Sequence, residues 1–311
     1  MFWDRKRAPN KVLIFGAAGH IGGPLARFLH REAPQTRLRL VTSNPANCEK
    51  LRREHPHAEI AMASYFDLPS LEKAVEGVEG VLVLTKSGTD EREAMTNLAV
   101  LLKKTNTAIQ IVRLLSVQPE ANRRRIPQSL RRHGLSPPSQ HPIAKEILDE
   151  SDLPVTYLNI GAAVMNDFYW MKEGLRREHK LVWPERHIPY IDPREIAEIA
   201  GRLFLSTEHR HIGQFYTLNN GQDLMGLGEV ADLMSEVFQT KVTHDGSKES
   251  FFREYAKLGE VRLFHLWELF QYERENELAW SRNDFAERVL GRKPLTLRSW
   301  LEEHHDGLMR T

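Results

Sequence analysis

The 311-residue chain carries a single cysteine, Cys48. One thiol excludes an intrachain disulfide and a cysteine-built zinc site, and a reducing, cytosolic setting is expected. Charge of neither sign is in excess: 43 Lys and Arg face 42 Asp and Glu, a formal net charge of +1. Phosphate binding along a nucleic acid needs a basic excess or stripe, so nucleic acid is not expected as a partner. No apolar run approaches the ~20 residues of a membrane helix. The basic N-terminus followed by "VLIF" is not expected to act as a signal peptide either, because that run is short and passes into glycines. Repeats and low-complexity tracts are also missing, and the histidine pairs His209/His211 and His304/His305 lack carboxylate or cysteine company at ligand spacing, so they are expected on the surface and no metal site is expected.

What is present is an ordinary globular composition, 41% hydrophobic and 27% charged, long enough for one large domain or two small ones. Val12 to Phe15 is an apolar run, followed by glycines and then a helical pattern through Ile21, Leu25 and Leu29. "RLRLVT", "EIAMASYFD", "VEGVLVLT", "AIQIVRLLSV" and "LPVTYLNIG" read as further strands, with helical patterns between them. Strands of nearly unbroken apolar character need cover on both faces, which predicts an α/β fold, a doubly wound parallel (Rossmann) sheet. The second half holds "GQFYTLNN" as a strand and a helix-rich, aromatic-rich end from Glu249. The expected organisation is a dinucleotide-binding domain over 10–165, with 188–220 returning to it. A smaller, helix-rich cap for the substrate is expected from 166–187 and 221–311.

Gly16, Gly19 and Gly22 form G-x-x-G-x-x-G between a strand and a helix. Gly16 allows the tight turn, Gly19 lets backbone approach a pyrophosphate, and Gly22 lets helix and strand pack closely. Such turns also occur for packing alone, but a full βαβ series favours a dinucleotide. Ala18, His20 and Ile21 belong to the same loop. An NAD site usually ends its second strand with Asp or Glu. Here Thr42, Ser43 and Asn44 stand there, all uncharged, with Arg37, Lys50 and Arg53 near in sequence to neutralise a 2′-phosphate. NADP(H) is therefore favoured over NAD(H).

Several segments together resemble the NmrA-like family of atypical short-chain dehydrogenase/reductases. "GAAGHIGG", "YFDLPSLEKAVEGVEGVLVLT", "DLPVTYLNIGAAVMNDF" and "IPYIDPREIAEIAGRLF" carry the resemblance, which runs from about Lys11 to Glu303. It implies that Asp67 and Leu68 lie beside the adenine and that Thr85 and Lys86 border the nicotinamide-side ribose. Gly161, Ala162 and Val164 would lie near the nicotinamide. Ser116 matches the family's serine position. His141 falls where the family has the tyrosine of Tyr-x-x-x-Lys, and Lys145 falls on its lysine. The missing tyrosine puts the usual proton transfer in doubt, and Asn159 replaces a frequent arginine.

Lys145 is expected to hold the ribose, with the exposed helix lysine as the plain alternative. Pro142 disfavours helical geometry at the preceding residue and suits a first helical position, so His141 is expected as the helix cap, with proton donation as its second possible role. Ser116 is either a ligand group at a strand end or a turn serine. Tyr157, inside an apolar strand, is expected in the core. The basic stretch "NRRRIPQSLRRHGLSPPSQ" either attracts anions or is a solvated face. Phe168, Tyr169, Trp170, Trp183, Phe264, Trp267 and Phe270 are expected in part to line an apolar pocket. Together these readings predict a cytoplasmic monomer or homodimer that is an NAD(P)H-dependent reductase. It would pass hydride to a carbonyl, imine, quinone or conjugated double bond of an apolar, aromatic small molecule. The alternative is a non-catalytic redox sensor that binds NAD(P) and a protein partner.

Overall fold

The computed structural model describes residues 5–117, 126–128, 130, 137–275 and 281–310. The basic stretch before the HPIAKE helix falls mostly outside these residues. The chain divides into two compact units, the first made of Met1–Val117, Leu135–Ile160 and Pro193–Thr217. The second includes Gly161–Asp192 and Leu218–Thr311, so Ile188–Ile191 falls in it.

The first unit has the expected doubly wound architecture. In chain order it runs β1 (Lys11–Ile14), α1 (Gly22–Glu32), β2 (Arg37–Thr42), α2 (Ala46–Glu54), β3 (Glu59–Met62) and α3 (Leu68–Val75). There follow β4 (Gly80–Val83), α4 (Glu91–Thr105), β5 (Gln110–Leu115), α5 (Pro137–Asp149), β6 (Val155–Ile160), α6 (Pro193–Leu205) and β7 (Phe215–Leu218). The sheet order is β7-β6-β5-β4-β1-β2-β3, and the pairs from β3 to β6 are parallel. Every residue of β4 and β5 is buried, as a strand covered by helices on both faces must be. On one face Leu13, Val81, Val83 and Ile111 share a core with Leu98 and Leu102 of α4. Each such side chain contributes about 1.5–3 kcal/mol when fully buried. The chain winds outward from β1 to β3 in one direction and from β4 to β6 in the other. The reversal between β1 and β4 opens a crevice beyond their carboxyl ends.

α4 starts where the Asp90 carboxylate accepts from the amides of Arg92 and Glu93. It ends at Asn106, which takes the left-handed conformation at φ 50°. α5 departs from expectation: it begins at Pro137, and Pro142 lies inside it. His141 is thus a helical residue and not the cap. The consecutive prolines 137 and 138 start the helix, because their fixed φ suits a first turn and their missing N–H groups are not needed there. Pro142 then costs the helix one early backbone hydrogen bond.

The second unit contains a three-stranded sheet of Leu224–Met225, Ile188–Ile191 and Ala163–Val164, and a parallel pair of Thr243–Asp245 with Lys180–Val182. Helices Leu227–Phe238 and Leu297–Met309 pack over a core that includes Trp300, Phe251 and Met234. Most of the aromatic set expected around a pocket belongs to this core. Phe168, Trp183 and Phe270 are buried in it, and Tyr169 and Trp267 pack against it. Trp170 and Phe264 are exposed. Among the described residues no helix is long and apolar enough to cross a membrane.

His244 Nδ1 lies 3.1 Å from Glu185 Oε2, and its Nε2 lies 2.8 Å from the Trp183 carbonyl. Both ring nitrogens therefore face acceptors, which suits the protonated ring. Burial pushes the His244 pKa down, but Glu185 and the Trp183 carbonyl outweigh it, and the net direction is up. Burial likewise opposes ionisation of Glu185, yet His244 and the Leu227 amide hold its carboxyl below the ordinary value. Because Glu185 also receives the Leu227 N–H at 2.9 Å, the pair anchors the start of helix Leu227–Phe238. A group whose folded pKa is raised adds stability below its unfolded pKa and loses it as pH climbs through the folded value. His244→Gln should therefore lower the thermal midpoint most at mildly acid pH, where Glu185 is still ionised. The difference from wild type should shrink as pH rises beyond about 6.5, as followed by circular dichroism.

Candidate functional site

A cleft of about 500 Å³ lies at the carboxyl ends of β1 to β4, within the first unit. Gly16, Ala18, Gly19, Thr42, Ser43, Asn44, Thr85 and Lys86 all line it. Gly16 adopts φ +66°, and a Cβ there would lie 2.7 Å from Leu84 Cδ2. A Cβ at Gly22 would lie 2.5 Å from the Gly16 carbonyl oxygen. The turn and the start of α1 thus hold together only with hydrogen at both positions. Gly19 closes the turn by donating its N–H to the Gly16 carbonyl, and a Cβ there would lie 3.2 Å from that same oxygen. This is a backbone cradle with room for a pyrophosphate, and the residues present fit a dinucleotide. Exposed His20 and buried Ile21 support the turn without lining the cleft.

At the end of β2, Thr42 Oγ1 accepts the Asn44 N–H at 3.1 Å and Asn44 Oδ1 accepts the Ala46 N–H at 3.1 Å. Asn47 joins this uncharged wall. The expected basic helpers do not reach it. Arg37 begins β2, five residues from Thr42 and so about 17 Å away at strand rise. Lys50 and Arg53 are exposed on α2 and do not line the cleft. Asp67 and Leu68 are also displaced from the expected place. β3 ends at Met62, so the chain meets the cleft earlier, with Ala63, Ser64, Tyr65 and Phe66. Asp67 instead lines a neighbouring depression with Glu59 and Lys73, and Leu68 opens α3 in solvent. Tyr65 stacks on Phe15 at 4.5 Å between ring centroids, and its hydroxyl donates to the Leu84 carbonyl at 3.2 Å. Burial pushes its phenol pKa up.

Behind Thr85 lies a buried ion pair. Arg113 of β5 is fully buried and donates Nη2 to Glu91 Oε1 at 2.6 Å and to Thr85 Oγ1 at 3.0 Å. The Thr85 hydroxyl donates to the same Glu91 oxygen. Gln140 Oε1 accepts the Glu91 backbone N–H at 2.9 Å.

His141 stands at the back of this pair. Its Nδ1 accepts the Ser116 N–H at 2.8 Å, so the ring proton sits on Nε2, 3.9 Å from Glu91 Oε1. Burial, then the Arg113 guanidinium, hold the imidazole pKa down to about 3, against the Ser116 hydrogen bond that raises it. His141 is not among the residues lining the cleft. Ser116 contributes its backbone N–H to the histidine and does not line the cleft either. Lys145 has other partners than a ribose: its Nζ lies 2.5 Å from Asp149 Oδ2 and 4.8 Å from the centre of the Tyr157 ring. Tyr157 is buried as expected, with its hydroxyl on Asp149 Oδ1 at 2.7 Å. The His-x-x-x-Lys spacing therefore splits, one member turned to α4 and the other to the sheet edge at β6 and β7. Gly161, Ala162 and Val164 continue the chain directly beyond β6.

Residues 16–169 match the NAD(P)H-binding family. The chain carries an NAD(P)H-binding domain. It is 20% identical over 224 residues to (4-alkanoyl-5-oxo-2,5-dihydrofuran-3-yl)methyl phosphate reductase of Streptomyces griseus subsp. griseus, covering 71% of this chain and 72% of the relative. Its fold is similar to that of the NADPH-dependent quinone oxidoreductase QOR2 of Escherichia coli, solved with NADPH. The TM-score is 0.77 at 18% identity, over 94% of this chain and 99% of the other. It is also similar to NmrA, a negative transcriptional regulator solved with NAD, at a TM-score of 0.72 and 14% identity over 96% and 95%. The NmrA-like resemblance read from the sequence thus extends to the fold of nearly the whole chain.

In the NAD(P)H-binding domain, sequence reasoning passed over Glu91, Arg113, Tyr65 and Asn47. Arg113 had a signal: a charged residue inside the apolar strand "QIVRLL" demands a buried partner. Glu91, in "DEREAM", looks like any acidic first turn. Nitrogen NMR of the imidazoles should find His141 neutral and protonated on Nε2 at about pH 5, where a free histidine is charged. A ring that titrates near neutrality would contradict the buried setting.

Proposed function

We propose that the protein is an NAD(P)H-dependent reductase of the atypical short-chain dehydrogenase/reductase type. Its substrate would be an apolar small molecule with a carbonyl, imine, quinone or conjugated double bond. The observation that carries this reading is the glycine turn opening into a cleft at the β1/β4 reversal, lined by the residues that follow β2 and β4. The reductase relative and the quinone oxidoreductase fold support it. When bound, the nicotinamide supplies a hydride. The turn at Gly16–Gly22 receives the pyrophosphate. Thr42, Ser43, Asn44 and Asn47 surround the adenosine ribose without a carboxylate to repel a 2′-phosphate, so NADP(H) is favoured over NAD(H). Thr85 and Lys86 border the second ribose. The His141 ring carries no spare proton near neutrality and stands outside the cleft, so proton delivery falls to water or to Lys86.

A second reading is a non-catalytic NAD(P)-binding redox sensor. It is favoured by one observation: the two residues at the family's proton-handling positions, His141 and Lys145, are both engaged away from the cleft. Fluorescence titration with NADPH and NADH, followed by oxidation assays against ketones, imines, quinones and enones, separates the two. The reductase should bind NADPH more tightly than NADH and turn over at least one class. Binding without turnover of any class supports the sensor.

A further inference from the structure

We propose that the buried Glu91–Arg113 pair sets the polarity of the cleft at Thr85. The Thr85 hydroxyl then faces the ligand as an acceptor only and recognises a hydroxyl or amide N–H donor of the bound dinucleotide. This rests on the NAD(P)H reading of the cleft.

A threonine hydroxyl has one hydrogen and two lone pairs. Arg113 Nη2, 3.0 Å away, can only donate and occupies one lone pair. The Glu91 carboxylate can only accept and takes the hydrogen. One lone pair remains, and Thr85 lines the cleft. Water cannot easily exchange these roles, because the Arg113 and Glu91 side chains are 0% and 2% exposed. Glu91 Oε1 is held by Arg113 and by the Thr85 hydroxyl, and Gln140 fixes the Glu91 backbone by accepting its N–H at 2.9 Å. Ribose hydroxyls and a carboxamide N–H offer hydrogens to such a site. A phosphate oxygen would meet a lone pair backed by a carboxylate, and is excluded. The register of a dinucleotide along the cleft is thereby set at this point. Thr85 is the contacting residue, and Glu91 and Arg113 are positioning residues.

The test is NADPH titration by fluorescence, with thermal midpoints measured in parallel. Thr85→Ser should bind within about threefold of wild type, and Thr85→Val about tenfold more weakly, the size of one hydrogen bond. Replacing both Glu91 and Arg113 by leucine removes the charges together, which a fold tolerates far better than losing one. That variant should also bind about tenfold more weakly, and adding Thr85→Val to it should weaken binding no further. Should the leucine pair fail to fold, Glu91→Gln serves instead. It keeps the acceptor oxygen, so NADPH affinity should hold within about threefold while the midpoint falls. Additive losses, a Thr85→Val protein that binds like wild type, or a Glu91→Gln protein that keeps its midpoint and loses NADPH would overturn the proposal alone. Wild type that binds no NADPH would overturn the cofactor reading as well.

Discussion

A guanidinium in the middle of a buried parallel strand must be neutralised where it lies, and this requirement organises the site. Arg113 has no exposure, so its partner has to come from a neighbouring element, and Glu91 at the start of α4 provides it. Leaving either charge alone would cost several kcal/mol. The pair fixes the approach of α4 to β5 and draws in Thr85 from the end of β4. Gln140 and His141 of α5 close around it. Strand ends that would otherwise be joined only by backbone ladders are tied by one desolvated network just below the cleft.

The cleft above that network has few ionisable groups among its described lining residues. Lys86 is its cation, and Tyr65 keeps its hydroxyl on the Leu84 carbonyl. The rest is glycine backbone, small hydroxyls, amides and apolar rings. Such a lining suits a ligand that brings its own charge and its own chemistry, and relies on the protein for shape and hydrogen-bond polarity. It also separates two questions that the family motif usually joins, where the cofactor rests and which side chain handles the proton. In this chain the proposed answer to the first is the glycine turn with the β2 and β4 ends, which line the cleft. The second no longer points to the helix that carries His141 and Lys145.

Much of this architecture was legible in the sequence. The apolar strands, the glycine spacing and the neutral "LVTSNP" end locate the sheet, the turn and the second-strand wall, because each depends on local pattern. The α5 start was misplaced by five residues, since a single proline at 142 was read as the first helical position although a proline pair stood upstream. Asp67 and Leu68 missed the cleft because a strand end shifts by a few residues with its pairing register, which composition does not reveal. The aromatic set was drawn to a pocket on residue type alone, although the second unit needed most of it for a core of its own.

The sequence by itself determined the fold class, the presence of a dinucleotide turn and the lack of an acidic residue to repel a 2′-phosphate. These follow from periodicity and from what a glycine or an uncharged side chain permits at one place in the chain. Only the tertiary structure decided that Lys145 pairs with Asp149, that His141 is neutral and set back, and that Thr85 lies on a buried Glu91–Arg113 pair. Those facts depend on which side chains meet where water is excluded, and a local pattern, even the charged Arg113 inside an apolar strand, does not name the partner.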